Sequence, residues 1–297
     1  MRQCPVCHGA VSKEAWRYKE YTILHCDVCD LEFESAMKVA SHDYYLEHSK
    51  PVIEDERLYD DIGDDYNPEG YYTIHRIRDA ANRYLSAHQR RVIDIGCGTG
   101  YFSVDLKRRG FDCLGIDFNP FLVQVAGERF GIQARVARLE ELSNLEARYD
   151  FALLIHVLEH VESPIQLLKD IFQIVEPGGI LFIDLPNRNW FSPHHSLRKG
   201  TCFEHGYPPP HLTFWSVKSL AGALRRAGFE VVECKPRPFD TAKRLEVFVG
   251  KVLRYDRGWL FRLSVETLRL IGRVLGLQGN TIFAVARRPQ PKTPWAG

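Results

Sequence analysis

Two sets of residues in this chain have the types and the spacing to do chemistry. The first is Cys4-x2-Cys7 and Cys26-x2-Cys29, two knuckles with 18 residues between them. Four thiolates so spaced can close tetrahedrally around one Zn²⁺, with Pro5 and Gly9 as turn residues and Phe33 beneath. With four protein ligands and no open position, such a site is structural. The second is Gly96-Cys97-Gly98-Thr99-Gly100, directly after an apolar run ending at Ile95. Glycines let a backbone turn tightly and come close to a ligand. A helix starting behind them offers unpaired N–H groups. Asp117 follows 21 residues after Gly96, where a carboxylate can accept both hydroxyls of a ribose. A dinucleotide fingerprint needs its third glycine one position later, where pyrophosphate meets the helix. Tyr101 stands there, so the spacing suits an adenosyl ligand without pyrophosphate.

Alternating elements must position these groups. Strands are expected at Arg91–Ile95, Phe111–Asp117, Gln133–Ala137, Tyr149–Ile155, Ile180–Leu185, Phe229–Cys234 and Thr281–Ala286. Helices are expected at 101–109, 120–130, 164–175 and 216–227, and within 241–277. Ser163-Pro164 reads as the cap and first turn of the third of these, and Glu176-Pro177-Gly178-Gly179 as its stop. Leu167, Leu168, Ile171, Phe172 and Val175 form its apolar stripe. This alternation implies βαβ units: an α/β fold, a doubly wound and mostly parallel sheet with helices on both faces. The expected organisation is a small zinc ribbon at 1–35, a helical or loop connector and cofactor lid at 36–88, and a Rossmann-like domain at 89–297 with a helical insert at about 241–277. Residues 54–65, with seven acidic side chains, read as a solvated stretch. The loop 186–214 is rich in Pro, His and aromatic residues; loops this long inside compact domains are usually functional.

Composition narrows the classes. Of 297 residues, 39 are Lys or Arg and 38 Asp or Glu, a net charge of +1, which argues against nucleic-acid binding by bulk charge. Eight Cys are too few for a disulfide scaffold. The opening Met1–Cys7 has no secretory pattern, and no run approaches the roughly 18 apolar residues that span a bilayer. The expectation is a cytoplasmic, reduced compartment, in which paired Cys bind metal. Cys97, Cys113, Cys202 and Cys234 read as packing groups. Residues 258–276 combine apolar helical spacing with Arg262, Arg269 and Arg273. Such a helix covers a pocket or makes peripheral contact with a membrane surface.

The strand, glycine loop, helix and Asp117 together resemble the class I S-adenosylmethionine-dependent methyltransferases. Tyr149–Val161, with Glu159-His160, looks like that family's fourth motif, and Glu176-Pro177-Gly178-Gly179 like its fifth. Pro186-Asn187, His211-Leu212 and Phe214-Trp215-Ser216 resemble the small-molecule subgroup that includes ubiquinone-pathway O-methyltransferases. The match covers about residues 70–235. The resemblance implies a seven-stranded sheet and S-adenosyl-L-methionine as cofactor. Gly96, Gly98 and Gly100 would border its methionine and ribose parts, and Asp94 would orient the loop. Asp117 would hold the ribose and Phe118 would pack on adenine. Ile155 and His156, at the end of the fourth strand, complete the implied cofactor set. Many relatives carry Asp at the place of Arg138. Arg cannot accept a hydrogen bond, so either backbone makes that adenine contact or the register of the match shifts by one or two residues. Zinc ribbons precede such domains in some ribosomal-RNA guanine methyltransferases and in sugar C-methyltransferases. Glu204-His205 resembles the base-bearing segment of the latter, with Phe203 replacing its leading His. His205 therefore ranks first as base, then His211 and His160.

Three functions compete. The first is methyl transfer to a small-molecule, sugar or lipid-linked acceptor, motivated by the loop 186–214. The second is an RNA base methyltransferase whose ribbon grips a stem. Ile155-His156-Val157-Leu158 is unlike the Asn/Asp-Pro-Pro-aromatic motif of exocyclic-amine enzymes, and residues 1–35 hold only Arg2, Lys13, Arg17 and Lys19 as basic groups. The third is a non-catalytic zinc-binding scaffold, which the intact glycine loop disfavours.

Overall fold

A computed structural model describes residues 2–41, 43–47, 72–190, 208–238, 259–275 and 277–291. The N-terminal module has β1 (Arg2–Gln3) paired with β2 (Ala10–Val11), then β3 (Glu14–Tyr18), β4 (Tyr21–Cys26) and β5 (Leu31–Glu34) in an antiparallel meander. After it come α1 (Tyr72–Tyr84), β6 (Arg91–Ile95), α2 (Tyr101–Arg108), β7 (Asp112–Asp117), α3 (Pro120–Phe130) and β8 (Gln133–Val136). A 3₁₀ segment at Leu139–Asn144 leads to β9 (Tyr149–Ile155), and a second at Leu158–His160 to α4 (Pro164–Ile174) and β10 (Val175–Pro186). The chain then gives β11 (Thr213–Phe214), α5 (Val217–Arg226), β12 (Glu230–Pro238), α6 (Trp259–Val274) and β13 (Gln278–Arg287).

Seven strands form one sheet in the order β12-β13-β10-β9-β6-β7-β8. β10, β9, β6, β7 and β8 run parallel, and β13 lies antiparallel to both its neighbours. This is the expected doubly wound α/β sheet. Its strand order reverses between β6 and β9, and in such sheets the crevice for a ligand opens at the carboxyl ends of the strands beside that reversal. Side chains alternate faces along a strand, and the core divides accordingly. Ala152 and Leu154 of β9 face Leu168 and Ile171 of α4 and Leu220 and Leu224 of α5. Phe151 and Leu153 face Ile77 and Ala80 of α1 and Leu106 of α2.

Local chemistry sets the ends of the elements. Asn119 accepts from the backbone N–H of Phe121 and Leu122 ahead of Pro120, and Gly131 closes α3 at φ 60°. At α4 the expectation needs correction. Ser163 occupies the cap position, but its side chain makes no capping hydrogen bond. The helix ends at Ile174, where Val175 turns extended ahead of Pro177, and Arg288 donates to the carbonyls of Phe172, Gln173 and Val175. Residues 175–179 are not a bare stop. They begin β10, with an irregularity in pairing between Val175 and Ile180.

The cysteine module shares the main core. Cys4, Val6, Leu31 and Phe33 are buried in one cluster with Leu185, Trp215 and Leu158. β11 joins its meander, giving the sheet order β11-β5-β4-β3. This two-residue strand falls inside the stretch expected to be loop. On α6, Leu263, Leu270, Ile271 and Val274 are exposed. Among the described residues no helix is long and apolar enough to cross a membrane. The acidic stretch 54–65, Cys202, Glu204, His205 and most of the tail from 289 lie outside the described residues.

Candidate active site

β6 delivers its last residue, Ile95, into the glycine loop. Gly96 and Cys97 donate N–H to the carbonyl of Ile116, at 2.8 and 3.0 Å, binding the loop to the end of β7. Gly96, Gly98 and Gly100 all have positive φ, at 70°, 54° and 76°. A Cβ on Gly96 would lie 2.4 Å from Val157 Cγ2, whereas one on Gly98 would meet nothing within 4 Å. Gly98 therefore borders open space and Gly96 does not. Both Gly96→Ala and Gly98→Ala force an L-residue into the left-handed region, costing about 1–2 kcal/mol. Only Gly96→Ala adds overlap, so we expect it to lose about 3 kcal/mol in denaturant titration. Gly98→Ala should lose about 1 kcal/mol, but at least about tenfold in cofactor affinity by calorimetry, because its methyl enters the ligand side.

Asp117 ends β7 and is buried. Its carboxylate accepts from Gly98 N–H on one oxygen and Asn119 N–H on the other, both at 2.9 Å. Each oxygen keeps a second lone pair, enough for two hydroxyls. Burial raises this carboxyl, and the backbone N–H groups of Asn119, Gly98 and Phe118 oppose the rise. Asp94, also buried, accepts from Ser103 Oγ at 2.6 Å. Burial pushes it up to about 6, with Asp117 adding to the rise. Phe118 is half-buried with its ring 5.7 Å from Tyr45, edge to face. At Arg138 the backbone N–H goes to Glu141 Oε1 at 3.1 Å.

Across the reversal, Ile155 is buried at the end of β9, and His156 turns the chain at φ 54°, donating its N–H to Asp184 O at 2.8 Å. Glu159 follows in the 3₁₀ turn and is 1% exposed. His156 Nδ1 lies 3.3 Å from Glu159 Oε1, and His160 Nε2 lies 3.9 Å from the same oxygen. Glu159 Oε2 has no hydrogen-bond partner among the described residues. Burial by itself would raise the Glu159 carboxyl. The His156 hydrogen bond and the charges of His160, His156 and His211 outweigh it and hold the group at about 2. For His156, whose side chain is nearly half exposed, the packing around the ring works against the charged form, and Glu159 overrides it and raises the imidazole.

The sequence ranked His211 and His160 as bases, and the structure brings them together: their rings are 4.8 Å apart. His160 Nδ1 lies 2.8 Å from Pro210 O. Tyr44, Tyr45, His156, Glu159, His160, Pro210 and His211 line a pocket of about 300 Å³. Glu159, His160 and His211 offer an oxygen and two ring nitrogens within 4.8 Å of one another, a donor set that could accept a divalent cation. Tyr45 is absent from the residues singled out in the sequence, and Glu159 enters there only as half of a Glu-His motif. The adjacent Tyr44 and Tyr45, in the aromatic and polar connector, were the available signal.

The four cysteines converge. Cys4 Sγ lies 3.4 Å from Cys29 Sγ, Cys7 Sγ lies 3.5 Å from Cys26 Sγ, and all four lie within 4.8 Å of one another. Tetrahedral sulfurs about 2.3 Å from a zinc ion stand about 3.8 Å apart, so the cluster fits that ion. The two knuckles repeat one geometry. His8 N–H reaches Cys4 O and Asp30 N–H reaches Cys26 O, with His8 at φ 58° and Asp30 at φ 62°. The shared Cys4–Cys29 contact pulls the Cys4 thiol down to about 5 and pushes its partner up.

A parallel sheet with its switch point beside a glycine loop and an acidic β7 terminus defines an α/β enzyme built for an adenosyl ligand. Comparison with known proteins agrees. The methyltransferase-domain family matches residues 70–234, and the chain belongs to it as a class I S-adenosylmethionine-dependent methyltransferase. It is 27% identical over 228 residues to the ubiquinone biosynthesis O-methyltransferase of Coxiella burnetii, covering 67% of this chain and 95% of that protein. Among solved structures, an S-adenosylmethionine-dependent methyltransferase from Archaeoglobus fulgidus superposes with TM-score 0.51 at 22% identity, over 73% of this chain and 94% of the other. The (4+2)-cyclase SpnF superposes with TM-score 0.50 at 18% identity, over 73% and 82%. At these identities the likeness is one of fold, and the chemistry has to be argued from the site.

Proposed function

We propose that this protein transfers the methyl group of S-adenosylmethionine to a small-molecule, sugar or lipid-linked acceptor held in the pocket of Tyr45, Glu159, His160 and His211, and that a structural zinc ion occupies the four cysteines. S-adenosylmethionine, when bound, supplies a methyl group on an electrophilic sulfonium. In this reading Gly96, Gly98 and Gly100 admit the ligand to the backbone, and Asp94 braces the loop through Ser103. Asp117 takes the ribose hydroxyls, Phe118 covers the adenine, and Ile155 and His156 form the floor. His211 or His160 takes the acceptor proton, while buried Glu159 stabilises the imidazolium that results.

The observation that carries the reading is the pairing of the open face of Gly98 with the Asp117 carboxylate at the sheet's reversal. The small-molecule acceptor is supported by the size of the pocket and by the C. burnetii relative. The ribbon offers little to RNA: Lys13 is paired with Asp27 and Arg17 with Glu14, both at 2.8 Å. A cytoplasmic location is consistent with thiols kept for metal. Calorimetry of the zinc-loaded protein with S-adenosylmethionine tests the cofactor half; absence of binding heat and of any thermal shift ends it. Incubating the protein, labelled cofactor and a lysate metabolite extract tests the acceptor half. Label is expected in a compound of low mass, and label in RNA alone would reverse the assignment.

A further inference from the structure

We propose that the four-cysteine module positions the acceptor wall of the active site. The claim deepens the methyl-transfer reading, on which it rests for what the wall holds. Residues 208–216 run between the module and the pocket and are tied to both. On the module side, Thr213 and Phe214 pair with Phe33 and Glu32, and Glu34 N–H donates to Leu212 O at 2.8 Å. Ser216 Oγ donates to Asp30 O at 3.0 Å, and the Phe214 ring meets Trp16 at 5.2 Å. On the pocket side, Leu212 N–H donates to Glu159 O at 2.8 Å, Pro210 O meets His160 Nδ1, and His211 packs on His160. Leu212 thus makes one backbone hydrogen bond to each side.

Arg188, two residues beyond β10, is a second tie. It reaches Asp30 Oδ1 at 2.6 Å and Glu32 Oε1 at 2.7 Å, and its N–H donates to Trp215 O at 2.9 Å. Asp30 follows Cys29 directly, and its left-handed backbone belongs to the knuckle. The metal-held turn therefore aims both the carboxylate that Arg188 grips and the carbonyl that Ser216 reaches. A strand of two residues does not hold itself in place, so β11 takes its position from β5. The bonds that shape the cofactor end, Gly96 to Ile116 and Gly98 to Asp117, involve no residue of the module. Arg188 is accordingly a positioning residue for the acceptor wall and has no part in cofactor binding.

The test uses the full chain, zinc-loaded and after removal of zinc by a chelator, together with Arg188→Met and Arg188→Lys loaded with zinc. In the metal-free protein, amide exchange at 211–216 is expected to accelerate by at least about tenfold, while the glycine loop stays protected and S-adenosylmethionine affinity stays within about twofold. Arg188→Met should keep its zinc by metal analysis and reproduce the faster exchange, and should shift the His160 ring-nitrogen resonances as the Pro210 contact loosens. Arg188→Lys should restore part of both. Unchanged protection at 211–216 with zinc gone overturns the proposal. So does loss of glycine-loop protection and cofactor binding in step with it, which would make the module a general staple. Failure of the zinc-loaded wild type to bind S-adenosylmethionine would instead remove the methyl-transfer reading, and the exchange data would still decide whether the module holds residues 208–216.

Discussion

Asp117→Ala is expected to weaken S-adenosylmethionine binding by about two to four orders of magnitude. A carboxylate accepting two hydroxyls contributes roughly 1.5–3 kcal/mol per bond, and each 1.4 kcal/mol is about tenfold. The fold should suffer less. The substitution strands the Gly98 and Asn119 N–H groups, a cost of about 1–3 kcal/mol for each that stays buried. Removing a carboxylate whose burial raises its pKa offsets part of that. Calorimetry and thermal unfolding on the same sample separate the two effects. A wild-type dissociation constant in a folded variant would take the ribose role away from this residue.

Glu159→Gln has the second large effect, and its signature lies in pH. A turnover drop of about a hundredfold, with cofactor affinity little changed, is the size associated with losing a group that supports a general base. The stability difference between wild type and variant should follow the titration of both partners. The Glu159 carboxyl is held at about 2 against an ordinary 4.5, so its contribution is complete above about pH 4.5 and disappears as the pH falls toward 2. The His156 imidazole is raised from 6.5, so its contribution is complete below 6.5 and disappears as the pH rises through its folded value. The gap in Tm should therefore be widest between about pH 4.5 and 6.5 and narrow on both sides. A gap that stays constant from pH 2 to 9 would show that Glu159 and His156 do not share charge in the folded protein.

The parts of this molecule legible from its residues are those whose physics is local. The glycine loop, Asp117 and the cysteine knuckles each announce themselves within a few residues, because positive φ, a strand end and a tetrahedral ligand set restrict residue type at fixed spacing. Tyr45 joins the pocket beside His160, which its ring meets edge to face and which lies 115 positions away in sequence. β11 is two residues long, and its partner Phe33 precedes it by 180 positions, so no periodicity could reveal it. Glu159 was read only as one half of a Glu-His motif. Its weight comes from burial beside His156, His160 and His211, and the last of these arrives on a different segment. The Pro-Gly-Gly after α4 reads as a break because those residues rarely continue a helix. It instead lies at the start of β10, in an irregularity of the β9 pairing, with Gly178 and Gly179 exchanging backbone hydrogen bonds with Arg288.

The β5–β11 pairing also bears on how the chain is made. The meander emerges from the ribosome early, yet its outer strand, with buried Leu31 and Phe33, gains its neighbour only once Thr213 has been synthesised. For that interval the nascent protein carries an open β edge of the kind that recruits other chains. Fragments ending before residue 213 should consequently self-associate, and early capture of metal by the cysteines would guard the growing polypeptide against that fate.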